Sequence, residues 1–170
     1  TKEIISLIRQ AEHSIDVSIF FLTHNKISKE LVFAHERGVK VRVILDATAA
    51  KNGYSKHNYL RKHGIDVKVE NWGGKMHMKA AVFDKKHVVV GSMNWTKAGE
   101  KKNDENTIII KNSPKHANQL FFFFEEMWNS IPARWLLEDP NPESKESGTS
   151  CYDLIDNDFD KIIDSNEMEC

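Results

Sequence analysis

The sequence predicts an α/β fold, a layered sheet flanked by helices, followed by a short acidic module of different character. Apolar runs of strand length alternate with stretches of helical periodicity, and 40% of the 170 residues are hydrophobic, which suits one globular domain. Charge also divides the chain: residues 1–137 hold 22 lysines and arginines against 14 acidic residues, whereas residues 138–170 hold 2 against 11. The net charge of -1 therefore conceals a basic body and an acidic tail.

The elements of the body follow from apolar spacing and from residues that stop helices. Gly38 and Gly64 each follow a helical pattern and predict its end, and Pro114 suits the first turn of the last helix. In chain order, we predict a helix over 2–11, a strand over 14–22, a helix over 23–38, a strand over 39–45, a helix over 56–63, strands over 65–69, 76–83, 88–90 and 106–110, and a helix over 114–131. Strands that alternate with helices place ligand-binding groups at the strand ends.

Four consecutive phenylalanines, residues 121–124, cannot all face one side of a helix. Packing between the sheet and neighbouring elements is the favoured interpretation. The alternative is that part of the block joins a dimer interface or lies near a membrane.

A group of polar side chains is concentrated between residues 77 and 105. His77 and Lys79 lie two apart in the predicted strand over 76–83, so both side chains project from one face. Ser92 and Asn94 follow the next apolar run, on a turn where donors can point at a ligand. Glu105 comes eleven residues after Asn94.

These residue types suit cleavage of a phosphodiester. Lys79 supplies a fixed cation, and Ser92 and Asn94 supply hydrogen-bond donors for the non-bridging oxygens. A neutral His77 can attack phosphorus through one ring nitrogen if a carboxylate holds the other, and Glu105 is the candidate for that carboxylate.

The pattern His77-x-Lys79-x4-Asp84, followed by Gly91-Ser92-x-Asn94 and Glu105, resembles the signature of the phospholipase D superfamily. The resemblance covers roughly residues 1–135. It implies the phospholipase D fold, no cofactor for catalysis, and a covalent phosphohistidine at His77. It also implies a second histidine, from another copy of the motif, that protonates the leaving oxygen. Asp84 is expected to be mainly structural.

The chain holds one copy of the full pattern, because the one other histidine followed by a lysine two residues later, His24 before Lys26, has Leu31 where the motif requires aspartate. Either the motif works alone, or two chains bring their His77 residues together across a two-fold axis. We favour the homodimer, as in the small bacterial single-motif endonucleases that the body resembles.

The basic body favours DNA or RNA as substrate. The alternatives are a phospholipase or cardiolipin-type hydrolase acting on membrane lipid, and a binding module without catalysis. Trp72 and Trp95 flank the motif and could stack on bases, and the loop over 48–55, with Lys51 and Tyr54, is a candidate substrate rim.

The tail predicts a linker over 138–150 and a calcium-binding module over 151–170. Lys161 stands where such a loop normally has glycine, which predicts weakened affinity. The segment resembles excalibur and dockerin modules, and the alternative is an acidic tail without metal. The candidate ligands, at loop positions 1, 3, 5, 7, 9 and 12, are Asp156, Asp158, Asp160, Ile162 through its carbonyl, Asp164 and Glu167.

The only cysteines, Cys151 and Cys170, bracket the acidic loop. A disulfide between them would contribute roughly 3 kcal/mol by restricting the unfolded chain. The pair predicts a secreted or periplasmic protein with a leader or anchor ahead of Thr1, although free thiols in a cytosolic protein are the alternative.

Overall fold

The structure, a computed structural model, describes residues 1–72 and 75–141. Its centre is a mixed sheet in the order β3-β2-β1-β4-β5-β6. The first three strands are parallel to one another, and β4, β5 and β6 each run antiparallel to the preceding strand in that order. The strands are β1 (Ser14–Ile19), β2 (Lys40–Leu45), β3 (Asp66–Val69), β4 (Lys79–Phe83), β5 (His87–Gly91) and β6 (Thr107–Ile110).

This strand order brings the motif to one edge of the sheet. Lys79, the first residue of β4, pairs with Ile19, the last residue of β1. Gly91, the last residue of β5, lies at the same edge because Val90 pairs with Ala80. The beginning of β4 and the ends of β1, β2, β3 and β5 therefore share one edge of the sheet.

Helices cover both faces of the sheet, as the sequence predicts. The larger core, which includes Ile8, Leu31 and Leu60, lies under α1, α2 and α4, and α6 covers the opposite face through Ala117, Phe124 and Met127. The helices are α1 (Lys2–Gln10), α2 (Asn25–Glu36), α3 (Ala47–Ala50), α4 (His57–Lys62), α5 (Lys97–Lys101) and α6 (Pro114–Ser130), with a 3₁₀ helix at Ala133–Leu136.

Several predicted elements were too long. The first strand ends at Ile19 because Phe21 and Leu22 turn away to pair with Trp95. Helix α2 begins only at Asn25 because the His24 ring caps it, accepting from the Ile27 N–H at 3.3 Å. The short helices α3 and α5 were not predicted.

The block of four phenylalanines divides between the interior and the surface. Phe124 is buried, and Phe121 packs partly on the sheet. Phe122 and Phe123 keep 64% and 48% of their surface exposed. The prediction of interior packing is therefore right for half of the block.

The chain continues as ordered structure beyond residue 137, where the linker was predicted to start. The Asp139 carboxylate accepts from Arg61 Nη1 at 2.7 Å and lies 2.8 Å from His57 Nε2, both on α4. Asp139 therefore contacts the body, and the domain boundary at 137/138 stays a prediction. The candidate calcium ligands and both cysteines lie outside the described residues.

Asp84 joins the end of β4 to the start of β1. Its carboxylate accepts the backbone N–H groups of Glu12, His13 and Ser14 at 3.0, 2.7 and 2.9 Å. The residue has a φ of 52°, which aspartate and asparagine tolerate better than other residues with a side chain. Asp84 lies at the edge opposite His77, which confirms the structural role expected for it.

Replacing Asp84 with asparagine is expected to lower the free energy of unfolding by about 1–3 kcal/mol at neutral pH, because the amide accepts fewer N–H groups and carries no charge. Burial alone would raise the pKa of Asp84, but the three N–H donors hold it below its usual range. The difference in the free energy of unfolding between the unaltered protein and Asp84→Asn should therefore persist above about pH 4 and disappear as the pH falls below it. Urea unfolding measures this; Asp66→Asn, at an exposed position on β3, is the control. Equal losses of stability in Asp84→Asn and Asp66→Asn would contradict the structural role of Asp84.

Candidate active site

His77 and Lys79 meet on the ring of Phe20, the residue that follows β1. The imidazole of His77 packs on that ring at a centroid distance of 4.7 Å, and the Lys79 ammonium lies 5.0 Å from the ring centre. Lys79 Nζ also donates to the His77 carbonyl at 2.7 Å. His77 precedes β4 instead of lying within it as predicted, yet Phe20 N–H still bonds the Met78 carbonyl at 2.9 Å, so the two motif residues remain together.

Lys79 is a buried cation at the base of the site. Burial lowers its pKa, and the carboxylates of Glu105 and Asp46 partly oppose that effect. The two carboxylates thus favour the ammonium form that a phosphate needs. His77 itself is exposed to solvent. The site therefore combines an accessible imidazole with a fixed positive charge.

The side chain of Asn94 is held through its oxygen, which leaves its NH₂ group free to donate. Its Oδ1 accepts the Phe21 N–H at 3.1 Å, and among the described residues its amide nitrogen has no hydrogen-bond partner. The following residue, Trp95, fixes this turn by bonding Phe21 O, Thr23 N and His24 N through its backbone. The free NH₂ group is thus available to a ligand, and its predicted role as a donor to a non-bridging phosphate oxygen stays a prediction.

Ser92 and Glu105 form a second pair at the same edge. The Ser92 hydroxyl donates to the Glu105 carboxylate and accepts the Asn106 N–H at 3.1 Å. Asn103 adds a bond to Glu105 at 3.1 Å. Hydrogen bonds from Ser92 and Asn103 lower the pKa of Glu105, so its carboxylate is charged at neutral pH.

Glu105 was predicted to hold the imidazole of His77, and within one chain it does not. Its hydrogen bonds go to Ser92 and Asn103. In the described part of the chain, the His77 ring packs on Phe20 and has no hydrogen-bond partner. The Ser92 hydroxyl, predicted as a donor to phosphate, is likewise used by Glu105 in this structure.

The predicted substrate rim is only partly accessible. Trp95 is 1% exposed and forms part of the core, so its assignment as a base-stacking residue was wrong. Trp72 is half-buried against the cluster that contains Met76 and Trp135. Lys51 and Tyr54 are exposed on the loop after α3, and their role stays a prediction.

Phe20, Phe21, Asp46 and Glu70 contribute to this site but were not identified from the sequence. The two phenylalanines carry contacts to His77, Lys79 and Asn94. Their only sequence signal is their place at the end of a buried strand. Asp46 and Glu70 also each follow an apolar strand, in the position where acidic residues often serve a site.

Within residues 1–72 and 75–141, no group of three or more His, Cys, Asp or Glu side chains is arranged to hold a metal ion. In the same residues, no helix has the length and apolar character needed to span a membrane.

Comparison with known proteins identifies the family. Residues 4–128 match the family described as "Cardiolipin synthase, PLD-like domain". The chain therefore belongs to the phospholipase D superfamily. The described residues have the mixed sheet and flanking helices of its members.

Similar sequences carry two kinds of name. Phospholipase D of Rickettsia conorii is 40% identical over 111 residues, which cover 65% of this chain and 56% of that protein. Mitochondrial cardiolipin hydrolase of Homo sapiens is 31% identical over 142 residues, covering 83% of this chain and 54% of the human protein. The chain thus spans about half the length of these curated relatives.

Solved structures give a more complete match. The phospholipase D family member Nuc from Salmonella typhimurium has a TM-score of 0.73 and 33% identity, covering 77% of this chain and 88% of Nuc. NucT from Helicobacter pylori has a TM-score of 0.71 and 26% identity, covering 76% and 87%. The described body therefore corresponds to nearly the whole of these two chains.

Proposed function

We propose that this chain is a phosphodiesterase, specifically an endonuclease that cleaves DNA or RNA without a metal ion, through a covalent phosphohistidine at His77. The observation that carries the proposal is the exposed imidazole of His77 beside the buried Lys79 ammonium, both against the Phe20 ring. This arrangement leaves the imidazole open to attack a phosphorus atom whose negative charge Lys79 offsets.

The chemistry divides into two displacements. An imidazole nitrogen of His77 forms a bond to phosphorus as the bond to the leaving oxygen breaks, and an acid gives that oxygen a proton. Water then attacks the phosphohistidine and loses a proton to the same group, which releases a phosphate monoester and restores the neutral imidazole. The free NH₂ group of Asn94 would donate to a non-bridging oxygen in both steps.

A homodimer is the proposed source of the acid. One chain holds one motif, and the imidazole of His77 has no hydrogen-bond partner among the described residues. A second copy related by a two-fold axis would bring a second His77 to the same phosphate. It could also supply the carboxylate that orients each ring.

A basic groove beside the site favours a polyanionic substrate. The groove has a volume of about 290 Å³ and is lined by Lys26 at the start of α2 and by Lys97 and Lys101 on α5, with Glu100 bonded to His24. It adjoins the Asn94 turn, because Thr23 N–H bonds the Trp95 carbonyl at 3.0 Å. Neighbouring phosphates of a nucleic acid could bind these lysines while one phosphate occupies the site, whereas a lipid headgroup with a single phosphate leaves none for the groove.

The double variant Lys97→Glu/Lys101→Glu is therefore expected to weaken binding of a single-stranded oligonucleotide at least about tenfold at low salt. The slope of log affinity against log salt should become shallower by about two, since two phosphate contacts are lost. Fluorescence anisotropy of a labelled oligonucleotide with catalytically inactive protein measures both quantities. Lys86→Glu/Lys115→Glu, at the opposite end of the sheet, changes the net charge equally and is the control. Equal weakening in both double variants would mean that the groove has no specific role.

The test of the proposed function is a panel of substrates in EDTA. Purified protein is incubated with single-stranded DNA, duplex DNA, RNA and a fluorescent phospholipid in vesicles. We expect cleavage of at least one nucleic acid, and no cleavage by His77→Ala. Turnover of the phospholipid alone would overturn the nuclease proposal, and activity that EDTA abolishes would overturn the metal-independent mechanism.

A phospholipase or cardiolipin-type hydrolase is the second candidate. The names of the curated relatives favour it, namely phospholipase D and mitochondrial cardiolipin hydrolase. A lipid headgroup presents the same phosphodiester to His77 and Lys79, so these two residues suit either substrate.

For the C-terminal module, we expect weak calcium binding through residues 156–167, with a dissociation constant on the order of 10⁻⁴–10⁻³ M as in extracellular modules. Isothermal titration of the oxidised full chain measures it. Asp156→Ala/Asp158→Ala should abolish the heat of binding, while Asp153→Ala, ahead of the loop, should not. If the full chain gives no heat of calcium binding, or if the double variant binds calcium as well as the unaltered chain, the segment is an acidic tail and not a calcium module. Binding with a Cys151–Cys170 disulfide would fit a secreted or periplasmic protein.

A further inference from the structure

Two buried carboxylates lie beside the catalytic edge without belonging to the motif. Asp46 follows β2 and Glu70 follows β3, and each side chain belongs to a residue that is only 1% exposed. Buried acidic residues are uncommon unless they are paired, so their positions need a physical reason.

Together the two carboxylates accept four backbone N–H groups. Asp46 accepts from Ala49 at 2.9 Å and from Met76 at 3.0 Å. Glu70 accepts from Ala47 at 3.0 Å and from Trp72 at 2.7 Å. Each carboxylate therefore joins the first turn of α3 to the segment that leads into the motif.

The last of these attachment points adjoins the nucleophile. Met76 immediately precedes His77, and its side chain packs in the cluster with Ile44 and Trp135. The bond from Met76 N–H to Asp46 consequently fixes the backbone from which the imidazole projects. The bond from Trp72 N–H to Glu70 fixes the backbone shortly after β3.

The two carboxyl groups are neighbours, because Glu70 accepts the N–H of Ala47, the residue that follows Asp46. The negative charge of Asp46 therefore disfavours ionisation of Glu70. Burial, together with the charge of Asp46, raises the pKa of Glu70 to about 8. The charged groups that face the pair are the ammonium groups of Lys75 and Lys79, both attracted to Asp46.

We propose that Asp46 and Glu70 are positioning residues for His77, a neighbouring carboxyl pair that holds the segment before β4 in the geometry required for attack on phosphorus. The proposal rests on the proposed role of His77. Neither carboxylate touches the reacting atoms. Their effect passes through the backbone of Trp72 and Met76.

The pair predicts a particular dependence on pH. Near neutrality Glu70 keeps its proton, so two negative charges do not face each other. As the pH rises through about 8, the proton leaves, two negative charges face each other in a buried site, and the attachment at Trp72 and Met76 loosens. Activity should therefore fall on the alkaline side because ionisation of the pair displaces His77.

The test uses bis(p-nitrophenyl) phosphate, a small phosphodiester, from pH 6 to 10. Glu70→Ala is expected to lower kcat about 10- to 100-fold with KM changed less than about twofold, because displacement of a catalytic group acts on the chemical step. Glu70→Gln keeps the shape but cannot ionise, so the fall in kcat centred near pH 8 should be absent. Glu36→Gln, on the exposed end of α2, is the matched control.

A second measurement does not depend on activity. The Hε1 proton resonance of His77, assigned with His77→Ala, should show a step near pH 8 in the unaltered protein and none in Glu70→Gln. Circular dichroism selects folded variants. If Glu70→Gln does not fold, Asp46→Asn replaces it, and the step should then move to lower pH because the charge of Asp46 no longer raises the pKa of Glu70. A chain that cleaves no phosphodiester but shows this step would refute the proposed function and retain the positioning role. An unchanged step in Glu70→Gln, or an unchanged kcat in Glu70→Ala, would overturn the positioning role itself.

Discussion

Replacing His77 with alanine is expected to lower kcat on every phosphodiester substrate by about 10⁴-fold or more, because the covalent route loses its nucleophile. Lys79 and Asn94 would remain in place, so substrate binding should change little. The imidazole lies on the surface of the site, against Phe20, and alanine there removes no buried contact between elements of the core. The loss should therefore appear without a loss of folding stability. Initial rates with an oligonucleotide, together with thermal unfolding, measure the two properties.

A histidine far from the site provides the control. His116 lies on α6, where its ring is 2.7 Å from the Ser113 hydroxyl, at the opposite edge of the sheet from His77. His116→Ala should keep full activity. Similar rates for the two variants would show that hydrolysis does not proceed through His77.

Replacing Arg42 with methionine is expected to lower the free energy of unfolding by about 3–5 kcal/mol, because it leaves a buried carboxylate without its partner. Arg42 Nε donates to Asp16 at 2.8 Å, and Nη2 bonds Glu125 on α6 at 2.5 Å. Its guanidinium also lies 4.8 Å from the centre of the Phe124 ring and 5.2 Å from that of Trp128. The variant therefore weakens the attachment of α6 to the sheet as well.

Urea unfolding at neutral pH measures this effect, and the double variant Asp16→Asn/Arg42→Met identifies its cause. Burial already raises the pKa of Asp16 in spite of Arg42. Removing that charge together with Arg42 should recover a substantial part of the lost stability. Lys62→Met, on the exposed surface of α4, should change little. A double variant no more stable than Arg42→Met alone would mean that the uncompensated charge is not the cause.

The parts of this account that the sequence could predict are those expressed in local patterns. The alternation of apolar runs with helical stretches predicts the sheet and its flanking helices. The spacing of His77 and Lys79, with Ser92, Asn94 and Glu105 downstream, predicts which chemistry is brought to one edge. The structural role of Asp84 could also be predicted, because the residue falls at the predicted end of a strand.

The parts that escaped prediction depend on contacts between distant residues. Asp16 and Arg42 each interrupt an apolar strand, and only the register of β1 with β2, which places them opposite each other, explains both. Trp95 adjoins Asn94 in sequence, but the turn that exposes Asn94 buries Trp95. The Asp46–Glu70 pair joins the ends of two strands 24 residues apart, and no local pattern links them.

The most direct test of the central claim is detection of the phosphohistidine. The protein is mixed with a short single-stranded oligonucleotide in EDTA, denatured at alkaline pH to protect the phosphorus–nitrogen bond, digested, and analysed by mass spectrometry. We expect a nucleotide or phosphate adduct on the peptide that contains His77, formed during turnover and absent from His77→Ala. Cleavage that continues in His77→Ala, with no adduct on that peptide, would contradict the proposed mechanism.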